Sequence, residues 1–240
     1  MNEVSLRISE EVFQKISSFM KNVPSGSPVA LSGGVDSSII LALSPPDSRC
    51  YVTGIRNCPD IKNARDVANL LGRKLREIVL EPAEVWEYAE TVLKIDPFIS
   101  KSDLGFETVL AAIMDNIEEK IILTGQGADE IFYGYSRFLR DTGMTNEEAL
   151  SKLLNSTLPR ERLIARHFGK EIRCPYLESG LFSIDGIRDR SAHFDGHTNK
   201  TILRKIAMEL EMPPDIYGRK KKAAQYGSGF MKVILRKYGH

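Results

Sequence analysis

Apolar positions along this chain change their period several times, and each change marks an element. Ile8, Val12, Phe13, Ile16, Phe19 and Met20 share one face at helical spacing, which predicts an amphipathic helix over about residues 8–22. Ser9 followed by Glu10 and Glu11 is its expected cap, with acidic side chains at the positive end of the helix dipole. Pro24-Ser25-Gly26-Ser27 breaks the helix. The apolar run 28–31 then reads as a buried strand ended by Gly33-Gly34, and 36–43 reads as a helix stopping before Pro45-Pro46. A second strand is expected at 50–55, followed by a helix over 61–71 with Gly72 as its C-cap. A third strand is expected at 75–80, helices at about 83–93 and 104–118, and a fourth strand at 120–124.

Short apolar strands alternating with helices predict an α/β fold: a doubly wound parallel sheet with helices on both faces. From about Asn146 onward the pattern is mainly helical, with loops. A chain of 240 residues, 42% hydrophobic and 27% charged, is expected to form a single domain over 1–240, with the first helix as an addition. The net charge of +1 offers no broad cationic face, so nucleic acid is not an expected partner. No run approaches the ~20 apolar residues of a membrane span. Acidic residues interrupt the segment where a secretory signal would be apolar, and a cytoplasmic location is expected. Cys50, Cys58 and Cys174 lack metal-like spacing and are expected to be free thiols.

Candidate chemistry concentrates in two turns. Ser32-Gly33-Gly34-Val35-Asp36-Ser37-Ser38 lies between the first core strand and its helix, at the sheet edge where ligands bind in open parallel sheets. Two glycines let the backbone approach a phosphate, the amides of the helix start point at the anion, and the serines add hydroxyl donors. Asp36 cannot favour a phosphate by itself, which implies a cation between them, and Mg²⁺ suits carboxylate and phosphate oxygens. The turn lacks the lysine of a Walker A sequence. A Gly-Gly turn with a Ser/Asp helix cap is the plainer reading of the same residues. The second turn, from Thr124-Gly125-Gln126-Gly127 through Asp129-Glu130 to Gly134-Tyr135, again follows an apolar strand. If the two turns meet, Asp36 and Asp129 share one metal; otherwise Asp129 and Glu130 are acidic residues at a helix start.

The first turn resembles the SGGxDS loop of PP-loop ATP pyrophosphatases, and the second is similar to the SGEGSDEhFGGY loop (h, apolar) of asparagine synthetases and the related β-lactam synthetases. Thr53-Gly54-Ile55, the ExRxPxL segment starting at Glu171 and the NKxxLRxxA segment starting at Asn199 also resemble that family, so the similarity covers roughly 25–235. The resemblance implies adenylation of a carboxylate, with aspartate as the default, pyrophosphate release, and displacement of AMP by ammonia. Ser32, Gly33, Gly34, Ser37 and Ser38 would hold the pyrophosphate of ATP, and Asp36 and Asp129 the Mg²⁺. Leu31, Thr53, Gly54, Thr124, Gly125 and Gln126 would border the nucleotide. Lys221, six and eight residues before Gly227 and Gly229, has the spacing of the family's catalytic lysine, although Lys220 or Lys222 serves after a small register shift.

Two departures qualify the resemblance. Gln126 stands where bacterial-type asparagine synthetases carry Glu, so a base at that position is lost or moved, and Glu130 is the nearest substitute in sequence. Asn2 occupies the position of the nucleophilic cysteine of the glutaminase half, so free ammonia or a separate glutaminase subunit is the expected nitrogen source. A tRNA-modifying PP-loop enzyme and a non-catalytic nucleotide-binding module are the alternative readings.

Overall fold

The protein, seen in a computed structural model that describes all residues except 1, 2, 141, 142, 144, 196, 197, 220–222, 239 and 240, is built on one parallel sheet. Its strands are β1 (Val29–Ala30), β2 (Cys50–Gly54), β3 (Leu75–Val79), β4 (Ile121–Leu123) and β5 (Glu171–Arg173), in the order β3-β2-β1-β4-β5. Helices α1 (Glu3–Met20), α2 (Val35–Leu43), α3 (Pro59–Leu70), α4 (Pro82–Ile95) and α5 (Lys101–Asn116) accompany the first four strands. Beyond β4 come α6 (Ala128–Ile131), α7 (Ser136–Arg140) and α8 (Asn146–Lys152), which runs through a π-turn at Leu153–Thr157 into α9 (Leu158–His167). After β5 follow α10 (Pro175–Glu178), α11 (Thr201–Glu209), α12 (Pro214–Tyr217), α13 (Ala224–Gly227) and α14 (Phe230–Tyr238).

Successive strand residues point to opposite faces, and both faces are covered. In β2, Cys50 and Val52 join an apolar cluster that includes residues of α1, α2, α3 and α11. Tyr51 between them joins a second cluster with residues of α4, α5, α9 and α14. This two-sided burial is why β2 reads as a near-continuous buried run rather than an alternating one. The doubly wound α/β architecture expected from the pattern is the one observed.

Strand order decides where a ligand can sit. The chain steps outward from β1 to β2 to β3, then returns to the other side of β1 as β4. Val29 accordingly pairs with Cys50 on one side and Leu123 on the other. The turns that follow β1 and β4 therefore leave the same edge side by side, at the topological switch point.

Two expectations are corrected. Helix α1 begins at Glu3, so Ser9 is interior and buried rather than capping, and its hydroxyl donates to the Leu6 carbonyl at 2.7 Å. Nothing upstream of Ser9 breaks a helix, and the buried stripe Ile8, Val12, Ile16 and Met20 holds the whole segment on the core. Strand β5 was not expected in the mainly helical C-terminal part. Three residues are too short to show a period, and the strand is held by pairing: the Glu171 amide donates to Lys120 and the Thr124 amide to Arg173, at 2.7 and 3.0 Å. Among the described residues, no helix is long and apolar enough to cross a membrane. The three cysteines are free and buried, as expected for thiols without partners.

Helix α1 packs on α11 through fully buried side chains. Ile16→Ala should therefore cost roughly 2–5 kcal/mol of folding stability, read as a lowered urea midpoint with unchanged slope. An unchanged midpoint would mean that α1 is not part of the cooperative core.

Candidate functional site

The first turn is shaped by what glycine permits. Beyond β1, the Leu31 amide donates to the Tyr51 carbonyl at 2.8 Å, and Leu31 itself is buried. Gly33 then turns the chain at φ +70°, where a Cβ would lie 2.4 Å from the Asn63 carbonyl carbon. A side chain is excluded there both by conformation and by space. Gly34 is the N-cap of α2 and contributes no side-chain cap, so the helix start keeps backbone donors facing the turn. Ser37 Oγ lies 3.2 Å from Ser32 Oγ and accepts from the Ser32 amide, while Ser38 is fully buried and donates to the Gly34 carbonyl at 2.8 Å. Ser38 thus shapes the turn, and Ser32 and Ser37 form its hydroxyl rim. Arg219 braces it by donating to the Gly33 carbonyl at 2.9 Å.

The second turn presses directly on the first. A Cβ added at Gly125 would be 3.3 Å from Asp36 Cβ and from the Ser37 amide nitrogen. The Gln126 amide donates to Thr124 Oγ1 at 3.4 Å, and Gly127 starts α6, whose first turn carries Asp129 and Glu130. Tyr176, at the start of α10, donates its hydroxyl to the Asp36 carbonyl at 2.9 Å and ties the ExRxPxL segment to the same place.

Where the turns meet, their carboxylates share one cation. Lys200 Nζ lies 2.7 Å from Asp36 Oδ2 and 2.6 Å from Asp129 Oδ1. Burial works against the ammonium charge, but Asp129 and then Asp36 outweigh it and hold the Lys200 pKa above its ordinary value. Lys200 is the N-cap of α11, with φ +56°, and its neighbour Asn199 donates to the Gly134 carbonyl at 2.5 Å. Gly134 makes the room: a Cβ there would come within 2.0 Å of both Asp129 Oδ1 and Lys200 Cε.

Behind the second turn lies a layer of buried acids. Gln126 Nε2 donates to Glu161 Oε1 at 2.6 Å, and Glu161 reaches there from α9. Burial, followed by the charges of Glu107 and Glu130, holds the Glu161 carboxyl well above the usual carboxylate range. Glu130 is bonded by the Tyr135 hydroxyl, and burial and then Asp129 push its pKa up to about 7. Glu107 is likewise pushed up to about 7 by burial, against the pull of Arg160, whose Nε lies 2.9 Å away. Arg160 also pairs with Asp96 and Asp103, each at 3.3 Å.

The remaining expected residues divide into edge and periphery. Thr53 is buried with its hydroxyl donated to the Ile78 carbonyl at 3.0 Å, so its side chain faces β3. Gly54 ends β2, with Cys58 Sγ 2.2 Å from where its Cβ would be. The next amide, Ile55, donates to the Ser228 carbonyl at 2.9 Å and draws the C-terminal segment to this edge. Lys220, Lys221 and Lys222 lie outside the described residues. Burial pushes the thiols of Cys50 and Cys174 up to about 12 and raises that of Cys58, the opposite of what a sulfur-transfer nucleophile needs.

Sequence reasoning assigned no role to Lys200, Glu161, Tyr176 or Arg219. Lys200 and Tyr176 stood inside quoted segments, and only the meeting of the turns gives them partners. Nothing in the spacing of Gln126 and Glu161 marks them as a pair.

The Asparagine synthase family model matches residues 17–163. The chain is 32% identical to a candidate glutamine-hydrolyzing asparagine synthetase 1 of Methanocaldococcus jannaschii, over 88% of this chain and 48% of that protein. It is 27% identical to asparagine synthetase B (glutamine-hydrolyzing) of Escherichia coli, over 89% of this chain and 43% of that one. The chain thus spans about half the length of the curated relatives it matches. Among solved structures, an NMN synthetase from Francisella tularensis is similar at a TM-score of 0.49 and 14% identity, covering 98% of this chain and 86% of that one. A match over most of the chain, carrying both turns, makes this protein a member of the asparagine synthase family.

Proposed function

We propose that the chain is the synthetase part of an ATP-dependent amide-forming ligase. A substrate carboxylate, aspartate by default, attacks the α-phosphorus of ATP and releases pyrophosphate, and ammonia then displaces AMP from the acyl-adenylate. The observation that carries this reading is the convergence of Asp36 and Asp129, one from each turn, on a single cationic centre beside the uncapped start of α2.

Each part of the site has a task in that chemistry. The turn from Ser32 to Ser38 offers backbone and hydroxyl donors for the pyrophosphate portion of ATP. Leu31, Thr53, Gly54, Thr124, Gly125 and Gln126 border the rest of the nucleotide, largely through backbone groups. Two carboxylates reaching one cation are a donor set that suits Mg²⁺, and Asp36 and Asp129 are the residues that would hold it. Bound there, the ion would offset phosphate charge and polarise the phosphorus under attack. The Lys200 ammonium is placed to take phosphate charge as well. Lys221 is assigned to the charge that develops as pyrophosphate leaves, by its spacing to Gly227 and Gly229. Ammonia would be supplied in solution or by a glutaminase part.

Incubation with Mg·ATP, aspartate and ammonia should give AMP, pyrophosphate and asparagine in equal amounts. Formation of ADP and phosphate would overturn the reading. Lys200→Ala should lower carboxylate-dependent ATP–pyrophosphate exchange by about 100-fold or more, with helix content intact by circular dichroism. Exchange at the parent rate would remove Lys200 from the site. Lys221→Ala should abolish exchange while ATP still binds in a calorimetric titration, and wild-type exchange in that variant would exclude the lysine.

A further inference from the structure

The backbone around Lys200 is held in a shape that its own residue type disfavours. Among the described residues, four that are not glycine have φ between +53° and +60°: Asn57, Tyr133, Lys200 and Glu211. The left-handed region crowds a β-carbon, and a residue other than glycine stays there only where its surroundings fix it. Tyr133 and Lys200 are two of the four, and the side chain of Asn199 joins them. Asn199 Nδ2 donates to the Tyr133 carbonyl at 3.4 Å and to the Gly134 carbonyl at 2.5 Å, and a primary amide has two N–H donors to give. A second cost falls on Lys200, because a cation at a helix start meets the positive end of the dipole.

Resting on the synthetase reading, we infer that Asn199 is a positioning residue: its amide, braced by Arg204, fixes left-handed Lys200 to the end of the second turn and so sets where the ammonium meets Asp36 and Asp129. Both acceptors of the Asn199 amide are backbone carbonyls, so its influence on the carboxylates runs through its neighbours. On one side, the Gly134 amide donates to the Asp129 carbonyl at 2.8 Å, which ties the target of Asn199 to the backbone of the aspartate. On the other side, Asn199 directly precedes Lys200. A single side chain therefore registers the two backbones from which Asp129 and Lys200 reach each other at 2.6 Å.

Arg204 closes the corner from within α11. Its Nε donates to the Asn199 carbonyl at 2.9 Å and its Nη1 donates to the Tyr217 carbonyl, so the guanidinium spans from the start of α11 to α12. Thr201 Oγ1 donates to the Ala192 carbonyl at 2.9 Å and holds the first residue of α11 to the segment before it. Lys200 gives its helix no side-chain cap; its buried side chain is committed to the two carboxylates instead. Without the Asn199 amide, Lys200 can relax toward the extended backbone usual for a helix N-cap, which swings its side chain away from them. A displacement of about 1 Å in a group that acts on the reacting atoms costs up to about 100-fold in rate.

A pair of double-mutant cycles separates positioning from a general loss of structure. N199A should lower carboxylate-dependent ATP–pyrophosphate exchange about 10-fold in the parent background and less than about 2-fold in the K200A background. R204Q, which frees the Asn199 carbonyl without altering Asn199, should repeat that pattern, and it carries the test if N199A does not fold. Calorimetric titration with Mg·ATP needs no turnover: either variant should weaken binding when Lys200 is present and leave it unchanged in the K200A background. A merely structural role would cost the same factor in both backgrounds. That result, or exchange at the parent rate in both single variants, would overturn the assignment of Asn199 while leaving the synthetase reading standing. Absence of exchange in the parent protein with every amino-acid carboxylate tried would instead remove the synthetase reading, and this inference with it.

Discussion

Two carboxylates from separate turns cannot sit side by side in a half-buried site without a positive charge between them. In this protein that charge is the Lys200 ammonium, within 2.7 Å of Asp36 and 2.6 Å of Asp129. Coulomb attraction at such distances in a partly desolvated place is strong enough to keep the lysine charged despite its burial. The contact also links three regions far apart in sequence: the turn after β1, the turn after β4 and the start of α11. Gly134 supports it from outside by leaving space that any side chain would fill.

Strand order is what makes that contact reachable. Strand order reverses beside β1, which is flanked by β2 and β4, so the turns after β1 and β4 leave the sheet side by side at the switch point. The C-terminal segment then closes over the same edge, with Arg219 on the Gly33 carbonyl and Ser228 on the Ile55 amide. Side-chain chemistry on the two turns is sparse: serine hydroxyls, two aspartates, an amide. That suits a reaction in which the protein positions reactants and offsets charge rather than forming bonds to them.

Much of this could be read in the chain beforehand, for identifiable reasons. The central strands were legible because their residues are largely buried, as in β2, and the first turn because Gly33 and Gly34 meet a conformational and steric demand that leaves a mark in sequence. The pairing of Asp36 with Asp129 followed from two similar turns on two similar strands. The start of α1 was misread because Ser9 has the chemistry of a cap yet donates to Leu6 within the helix. Strand β5 is defined by its partner rather than by its own pattern. Lys200 and Glu161 act on residues far from them in the chain, 164 positions for Lys200 and Asp36 and 35 for Glu161 and Gln126, and no local periodicity encodes such contacts.

The proposed chemistry stands on attack by the substrate carboxylate on the α-phosphorus of ATP. Labelling both carboxylate oxygens of the acid substrate with ¹⁸O and following turnover by phosphorus NMR tests it directly. Carboxylate attack should leave one ¹⁸O atom in AMP for each amide formed, and none in pyrophosphate. Label in inorganic phosphate, or AMP that stays unlabelled while amide accumulates, would rule out attack at that phosphorus.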